Sequence, residues 1–144
     1  MTQQRLIIIG LKHIPTVKPS DNLGKIIAAA ASKQRMRLRN GDILVVAQKI
    51  VSKAEGRFVS LAGIRPSEKA KELARSLGKD PRHIEVILRE TKRVVRRRGK
   101  HLIVQTRHGL VCANAGVDRS NVQGKNVVSL LPKDPDRSAR RIRA

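Results

Sequence analysis

Gly41-Asp42-Ile43-Leu44-Val45-Val46-Ala47-Gln48-Lys49-Ile50-Val51-Ser52-Lys53-Ala54-Glu55-Gly56 is the stretch on which the reading of the fold turns. Asn40-Gly41 is a turn signal, and Asp42 to Val46 is a short apolar run that predicts a buried strand. That strand ends in the polar segment Gln48 to Lys53, and Gly56 breaks the chain again. Upstream, Arg5 to Ile9 reads as another buried strand, bounded by Gly10. Between the two, Pro15 and Pro19 keep the backbone extended or turning. Ser20 or Asp21 can then cap a helix from about Leu23 to Ser32, with Leu23, Ile26, Ile27 and Ala30 on one face.

Downstream, Phe58 to Leu61 reads as a short strand. Ser67 with Glu68 opens a helix that runs to Leu77 and closes on Gly78. Asp80-Pro81 places a cap and a first-position proline at the head of the next helix, which carries Ile84, Ile87 and Leu88. Arg89 to Lys100 is strongly basic, and Val94 and Val95 suggest that it is partly packed. Leu102 to Thr106 and Leu110 to Ala113 read as paired strands around Arg107-His108-Gly109, and Val127 to Leu131 as a last strand. Asp134-Pro135 repeats the cap-plus-proline signature at the head of an arginine-rich helix. The mixture is α+β or mixed α/β, and 144 residues suit one domain with a single core. The chain stops inside that last helix, at Arg141-Ile142-Arg143-Ala144. A frayed terminal helix is the common case; a longer protein cut at this point is the sharper expectation.

Phe58 is the only aromatic residue, so the core is expected to be aliphatic. No apolar run approaches the roughly 20 residues that span a bilayer, and Leu6 to Ile9 is too short for a signal-peptide core. The expectation is a soluble cytoplasmic protein without a membrane partner. The lone Cys112 excludes an internal disulfide and reads as a buried structural thiol. The 32 Lys and Arg against 11 Asp and Glu give a formal net charge of +21, which attracts polyanions. With one aromatic side chain, base stacking is a poor basis for recognition, so phosphate contacts would have to carry any nucleic-acid binding.

Three segments combine special backbone needs with reactive groups. Lys49 and Lys53, four apart beside Ser52, could hold phosphates as point charges, although no GxxxxGK[ST] loop is present. Spacing alone favours two solvated lysines. Asn114-Ala115-Gly116-Val117-Asp118-Arg119-Ser120-Asn121 follows an apolar strand, and its small residues allow a tight bend that presents Asp118 and Asn121. One carboxylate with phosphate oxygens is how Mg²⁺ is usually held, whereas an ordinary turn would pair Asp118 with Arg119 or another cation. His13-Ile14-Pro15-Thr16-Val17 is a rigid extended segment that could line a pocket or simply connect. His83, His101 and His108 show no metal-ligand spacing.

Taken together, these strings resemble the coenzyme F-420 γ-glutamyl ligase family. Gly41 to Gly56 looks like one hallmark block, Thr106 to Val122 a second, and Leu130 to Ala139 a third, in matching order and across nearly the whole chain. The resemblance implies the N-terminal half of a mixed α/β ligase domain that forms a homodimer. It implies a GTP-dependent ligase that activates the carboxylate of a coenzyme F-420 precursor as an acyl phosphate and joins it to L-glutamate. GTP contacts correspond to Ile14, Pro15, Thr16, Val17, Gln48, Lys53 and Asn121. Asp118 corresponds to a ligand of a divalent metal, Mg²⁺ or Mn²⁺, with K⁺ also implied; no catalytic residue is assigned. Thr16 stands where the family often has Glu. Family members continue beyond this length, and a later Asp-Thr pair supplies further metal ligands.

Two alternatives stand beside the ligase. One is a basic nucleic-acid-binding module built around Arg89 to Lys100, for which binding is expected to be non-specific. The other is a truncated, inactive ligase fragment.

Overall fold

Ser67 and Asp80 start the two helices on which the core is built. The computed structural model describes residues 5–119 and 126–144. Ser67 Oγ accepts the Ala70 amide at 3.2 Å and opens α3 (Glu68–Leu77). Gly78, at φ 61°, ends it in the left-handed conformation that a side chain would disfavour. Asp80 accepts the Arg82 amide at 2.8 Å and opens α4 (Pro81–Glu90). Each helix buries one stripe, Ala70, Ala74 and Leu77 on α3 and Ile84, Val86 and Ile87 on α4. The stripes pack together because the small alanines of α3 let the branched residues of α4 approach.

No loop separates α4 from β2 (Thr91–Arg98). Thr91 Oγ1 donates to the Ile87 carbonyl at 2.7 Å and satisfies part of the last helical turn. β2 pairs antiparallel with β3 (His101–Thr106), which pairs antiparallel with β4 (Val111–Ala113). Along β3, Leu102, Val104 and Thr106 are buried while His101 is exposed, the period of two that a half-covered strand requires. A second, two-stranded sheet joins β1 (Phe58–Ser60) to β5 (Val127–Ser129). Leu61, Ile84, Ile87, Leu102, Val104 and Val128 are completely buried between these elements. Each is worth about 1.5–3 kcal/mol relative to exposure. The architecture is α+β, with an aliphatic core.

Outside this core, α1 (Leu23–Lys33) packs on α5 (Pro135–Arg143). The cap of α1 is Asn22, whose Oδ1 accepts the Lys25 amide at 3.0 Å. Asp21, expected in that role alongside Ser20, instead accepts the Lys18 amide at 2.7 Å and closes the preceding turn.

Three expectations are corrected. Arg5–Ile9 and Asp42–Val46 are extended but belong to no sheet, with Leu6 at 85% and Ile43 at 87% exposure. A strand exists only where a neighbour accepts its backbone hydrogen bonds, and no described residue does so for these two runs. Second, Gln48 to Lys53 is helix α2 (Gln48–Ala54), not the tail of a strand. Gln48 Nε2 donates to Ser52 Oγ one turn on, at 2.6 Å, with Ser52 buried. Third, Val94 and Val95 do not pack inward. β2 bonds to β3 along one edge only, and both valines are exposed among arginines.

Candidate functional site

Helix α2 gives the Lys49–Lys53 spacing a meaning that a strand would not. Residues four apart share one face of a helix, so both ammonium groups leave α2 on one side. Lys49 Nζ lies 2.5 Å from Asp118 Oδ2. That ion pair joins two segments that are far apart in sequence.

Asp118 reaches this position through a bend after β4. Asn114, Ala115 and Gly116 all have positive φ, at 54°, 54° and 69°. Asparagine tolerates that region better than most residues, and glycine is indifferent to it. A Cβ on Gly116 would stand 2.6 Å from Leu131 Cγ, so the close approach of Leu131 also excludes a side chain there. The bend delivers Asp118 against β5, where its N–H donates to the Ser129 carbonyl at 3.0 Å. The Ser129 N–H returns a bond to the Asp118 carbonyl at 2.8 Å. The backbone of Asp118 is therefore fixed while its side chain is partly open, at 40% exposure.

A second charged group surrounds the head of α4. Asp80 Oδ2 accepts from Arg82 at 2.8 Å and from Arg119 at 3.3 Å. The Arg82 hydrogen bond holds the Asp80 carboxyl down at about 2. Lys79 Nζ donates to Asn114 Oδ1 at 3.3 Å, and the same oxygen accepts the Leu102 amide. Burial, then the positive Arg119 and Lys79, push His83 down to about 4, so its imidazole is neutral at physiological pH. Its Nε2 is buried and has no hydrogen-bond partner among the described residues. Burial also raises the Cys112 thiol, which stays protonated and inert on β4.

Of the residues singled out in the sequence, Lys49 and Asp118 meet directly. Lys53 lies on the same helix, and Gln48 is engaged with Ser52. Ala54, the end of α2, accepts the Ser20 amide at 2.8 Å, which ties α2 to the segment that follows Val17. Val17 is buried, whereas Ile14, Pro15 and Thr16 are exposed. No hydrogen bond among the described residues links those three to Asp118. Asn121 lies outside the described residues. The pairing of Arg119 with Asp80 rather than Asp118 had no sequence signal, because Asp80 already serves as a helix cap.

A divalent cation can be tested against this donor set. No group of three or more His, Cys, Asp or Glu side chains among the described residues is placed to hold a metal. A single carboxylate does suit Mg²⁺, which keeps most of its waters and takes one or two protein ligands beside phosphate oxygens. The Lys49 ammonium already occupies a cation position on Asp118. The site therefore fits a metal at one point of attachment and leaves the rest of its shell to a ligand. None of the described helices is long and apolar enough to cross a membrane.

The sequence pattern of the family described as F420-0:Gamma-glutamyl ligase matches residues 11–144. A protein of Methanopyrus kandleri named coenzyme F420:L-glutamate ligase is 50% identical over 127 residues, 88% of this chain and 48% of the relative. The equally named protein of Methanothermobacter thermautotrophicus is 43% identical over 94% of this chain and 53% of its own length. That of Methanocaldococcus jannaschii is 40% identical over 98% and 54%. The chain thus spans about half the length of these relatives. With a family pattern covering almost every residue and the bend at Asp118 inside it, the chain belongs to the F420-0:gamma-glutamyl ligase family.

Proposed function

We propose that this chain supplies the nucleotide-facing half of a GTP-dependent ligase that adds L-glutamate to a coenzyme F-420 precursor. The observation that carries the reading is the Lys49–Asp118 ion pair, which brings two of the three family-like blocks to one place. In the reaction, a precursor carboxylate oxygen attacks the γ-phosphorus of GTP and GDP leaves. The glutamate amine then attacks the acyl phosphate carbon, phosphate departs with the bonding pair, and the amine loses a proton. Lys49 and Lys53 sit one helical turn apart, a spacing suited to neutralising charge on adjacent phosphates. Asp118 is the residue that would hold the divalent metal; when bound, the metal withdraws charge from the phosphate oxygens. Lys49 then exchanges its carboxylate for a phosphate oxygen. The K⁺ requirement and the homodimer belong to the same reading and rest on the family resemblance.

The test is calorimetry of GTP in Mg²⁺ on the chain joined to the half of the M. kandleri relative that it does not match. GTP binds in preference to ATP, and Asp118→Asn weakens it by roughly 2–4 kcal/mol, the scale of a lost charge-stabilising contact in a transfer site. An unchanged GTP affinity in Asp118→Asn removes Asp118 from the site. Assayed alone with GTP, Mn²⁺ and K⁺, the 144-residue chain forms no glutamyl product, because alignment and charge neutralisation are incomplete. Product from the short chain alone would show that these residues suffice.

The exposed arginines of β2 favour a second, weaker activity, non-specific binding of nucleic acid through phosphates. It collapses with salt, because counterion release drives it. A sequence-selective complex that survives about 0.2 M salt would point to a dedicated nucleic-acid module.

A further inference from the structure

Residues 5–47 hold most of the exposed large aliphatic side chains of the molecule: Leu6, Ile7, Ile8 and Ile9, then Ile14 and Leu38, then Ile43, Leu44 and Val45. Two of these groups are continuous runs in extended conformation with unpaired backbone edges. A four-residue aliphatic run of this kind is strand sequence without a sheet, and it gains most by adding to one. The two runs flank the C-terminal end of α1. Gln34, the residue after α1, accepts the Lys12 amide through Oε1 and donates through Nε2 to the Gly10 carbonyl, which holds the end of the first run against the helix. Beside them lies a shallow groove of about 490 Å³ with Ala28, Ala31, Met36 and Leu38 on its floor and Arg35 and Arg37 on its rim.

Charge decides what can cover this surface. Lys33, Arg35, Arg37 and Arg39 alternate along the groove side, and the acidic residues of 5–47 are Asp21 and Asp42 alone. Both are engaged locally, Asp21 with the Lys18 amide and Asp42 with the Arg39 amide. A second copy of the chain would bring another +21 to the same surface. Like charges across an interface oppose association, while a negative partner gains rate and specificity from the same arrangement. The chain also spans only 48–54% of the length of its relatives, so polypeptide of the right size to cover two strands and a groove exists in the family.

We propose that Leu6–Ile9 and Ile43–Val46 are an interface for an acidic polypeptide that carries the other half of the family's length, and that it takes both runs into its own β-sheet. The arginine rim selects its charge and the aliphatic runs supply the buried area. The inference stands apart from the nucleotide chemistry: it concerns a different face and holds or fails whatever Asp118 binds.

The experiment mixes the 144-residue chain with the unmatched half of the M. kandleri relative and reads mass by light scattering and amide exchange by mass spectrometry. A one-to-one complex is expected, with new protection at 6–9 and 43–46 and affinity that falls as salt rises. The double change Ile43→Lys with Val45→Lys weakens it about tenfold or more, equivalent to at least 1.4 kcal/mol. Both side chains are exposed, so the variant keeps the melting temperature of the parent. Arg35→Glu with Arg37→Glu weakens the complex in low salt and has less effect in high salt. Protection of the two runs in the chain alone, accompanied by a doubled mass, would assign the surface to a second copy and overturn the proposal. So would a complex that leaves both runs exchanging freely, or no complex at all.

Discussion

Val104 and Val45 are the same residue type in extended backbone, yet one is completely buried and the other is 91% exposed. The region from Arg57 to Asp118 has found its neighbours: α3 and α4 cover β3, and β1 closes on β5. The region from Arg5 to Ala47 has aliphatic runs at least as hydrophobic and packs almost none of them. Local hydrophobicity made both candidates for burial. What separated them was the presence of a second surface within reach. The first region finds it a few residues along the chain, in the α3–α4 pair and the β2–β3 hairpin, where closing the loop costs little. The second region has no such partner among the described residues.

The largest effect that sharpens this contrast is a cavity. Leu102→Ala should cost about 2–5 kcal/mol in chemical denaturation, because the site is completely buried and can collapse only in part. Ile43→Ala, which removes a side chain of similar size from the open region, should stay within about 0.5 kcal/mol. Equal losses at the two positions would show that the region around Ile43 packs in solution and would break the comparison.

A smaller effect is expected at the bend before Asp118. Gly116→Ala adds a methyl group at positive φ within 2.6 Å of Leu131 Cγ. Overpacking of this kind costs about 1–3 kcal/mol. The measurement is the denaturation midpoint, paired with Leu131→Ala in the same chain. Relief by the second change identifies the clash, and no relief leaves backbone strain as the source.

His83 adds a pH signature to the packed region. Its ordinary value is 6.5 and the fold lowers it to about 4. Between those values the unfolded chain binds a proton that the folded chain refuses, so stability falls as pH drops from about 6.5 towards 4. Below that window both states carry the proton and the dependence ends. His83→Leu should flatten the melting temperature between pH 6.5 and 5 and also remove a buried nitrogen without a partner. An unaltered slope would place the titration elsewhere.

The smallest expected signal lies in the open region. Amides of 43–46 should exchange at close to unprotected rates in the chain alone, since no ladder holds them.

Legibility in the sequence followed the same divide. Helices α3, α4 and α5 were readable because a cap and a proline or a glycine mark them within a few residues of their own ends. The β3–β4 pair was readable from its turn. The runs at 5–9 and 42–46 were read as buried strands from composition, which reports appetite for a sheet and not the presence of one. Helix α2 was misread because Val45 and Val46 pull the eye into a strand; the Gln48–Ser52 bond was the local clue. At the site, Asp118 was legible from its bend and from the resemblance, and Lys49 from its spacing. Arg119 with Asp80 was not, since a pairing across 39 positions among so many cations leaves no local trace.

The unpaired edge of β2 carries Lys92, Arg93, Arg96, Arg97 and Arg98 along a strand that offers its backbone to any passing chain. Edges of that kind are where proteins polymerise, and a dense row of one charge is a standing deterrent. The same repulsion acts between the aliphatic runs of neighbouring molecules, so colloidal behaviour and electrostatics are coupled. Salt that shortens the screening length to about 3 Å near 1 M removes the deterrent without touching the fold. The chain then precipitates from its edges inward while its core stays native.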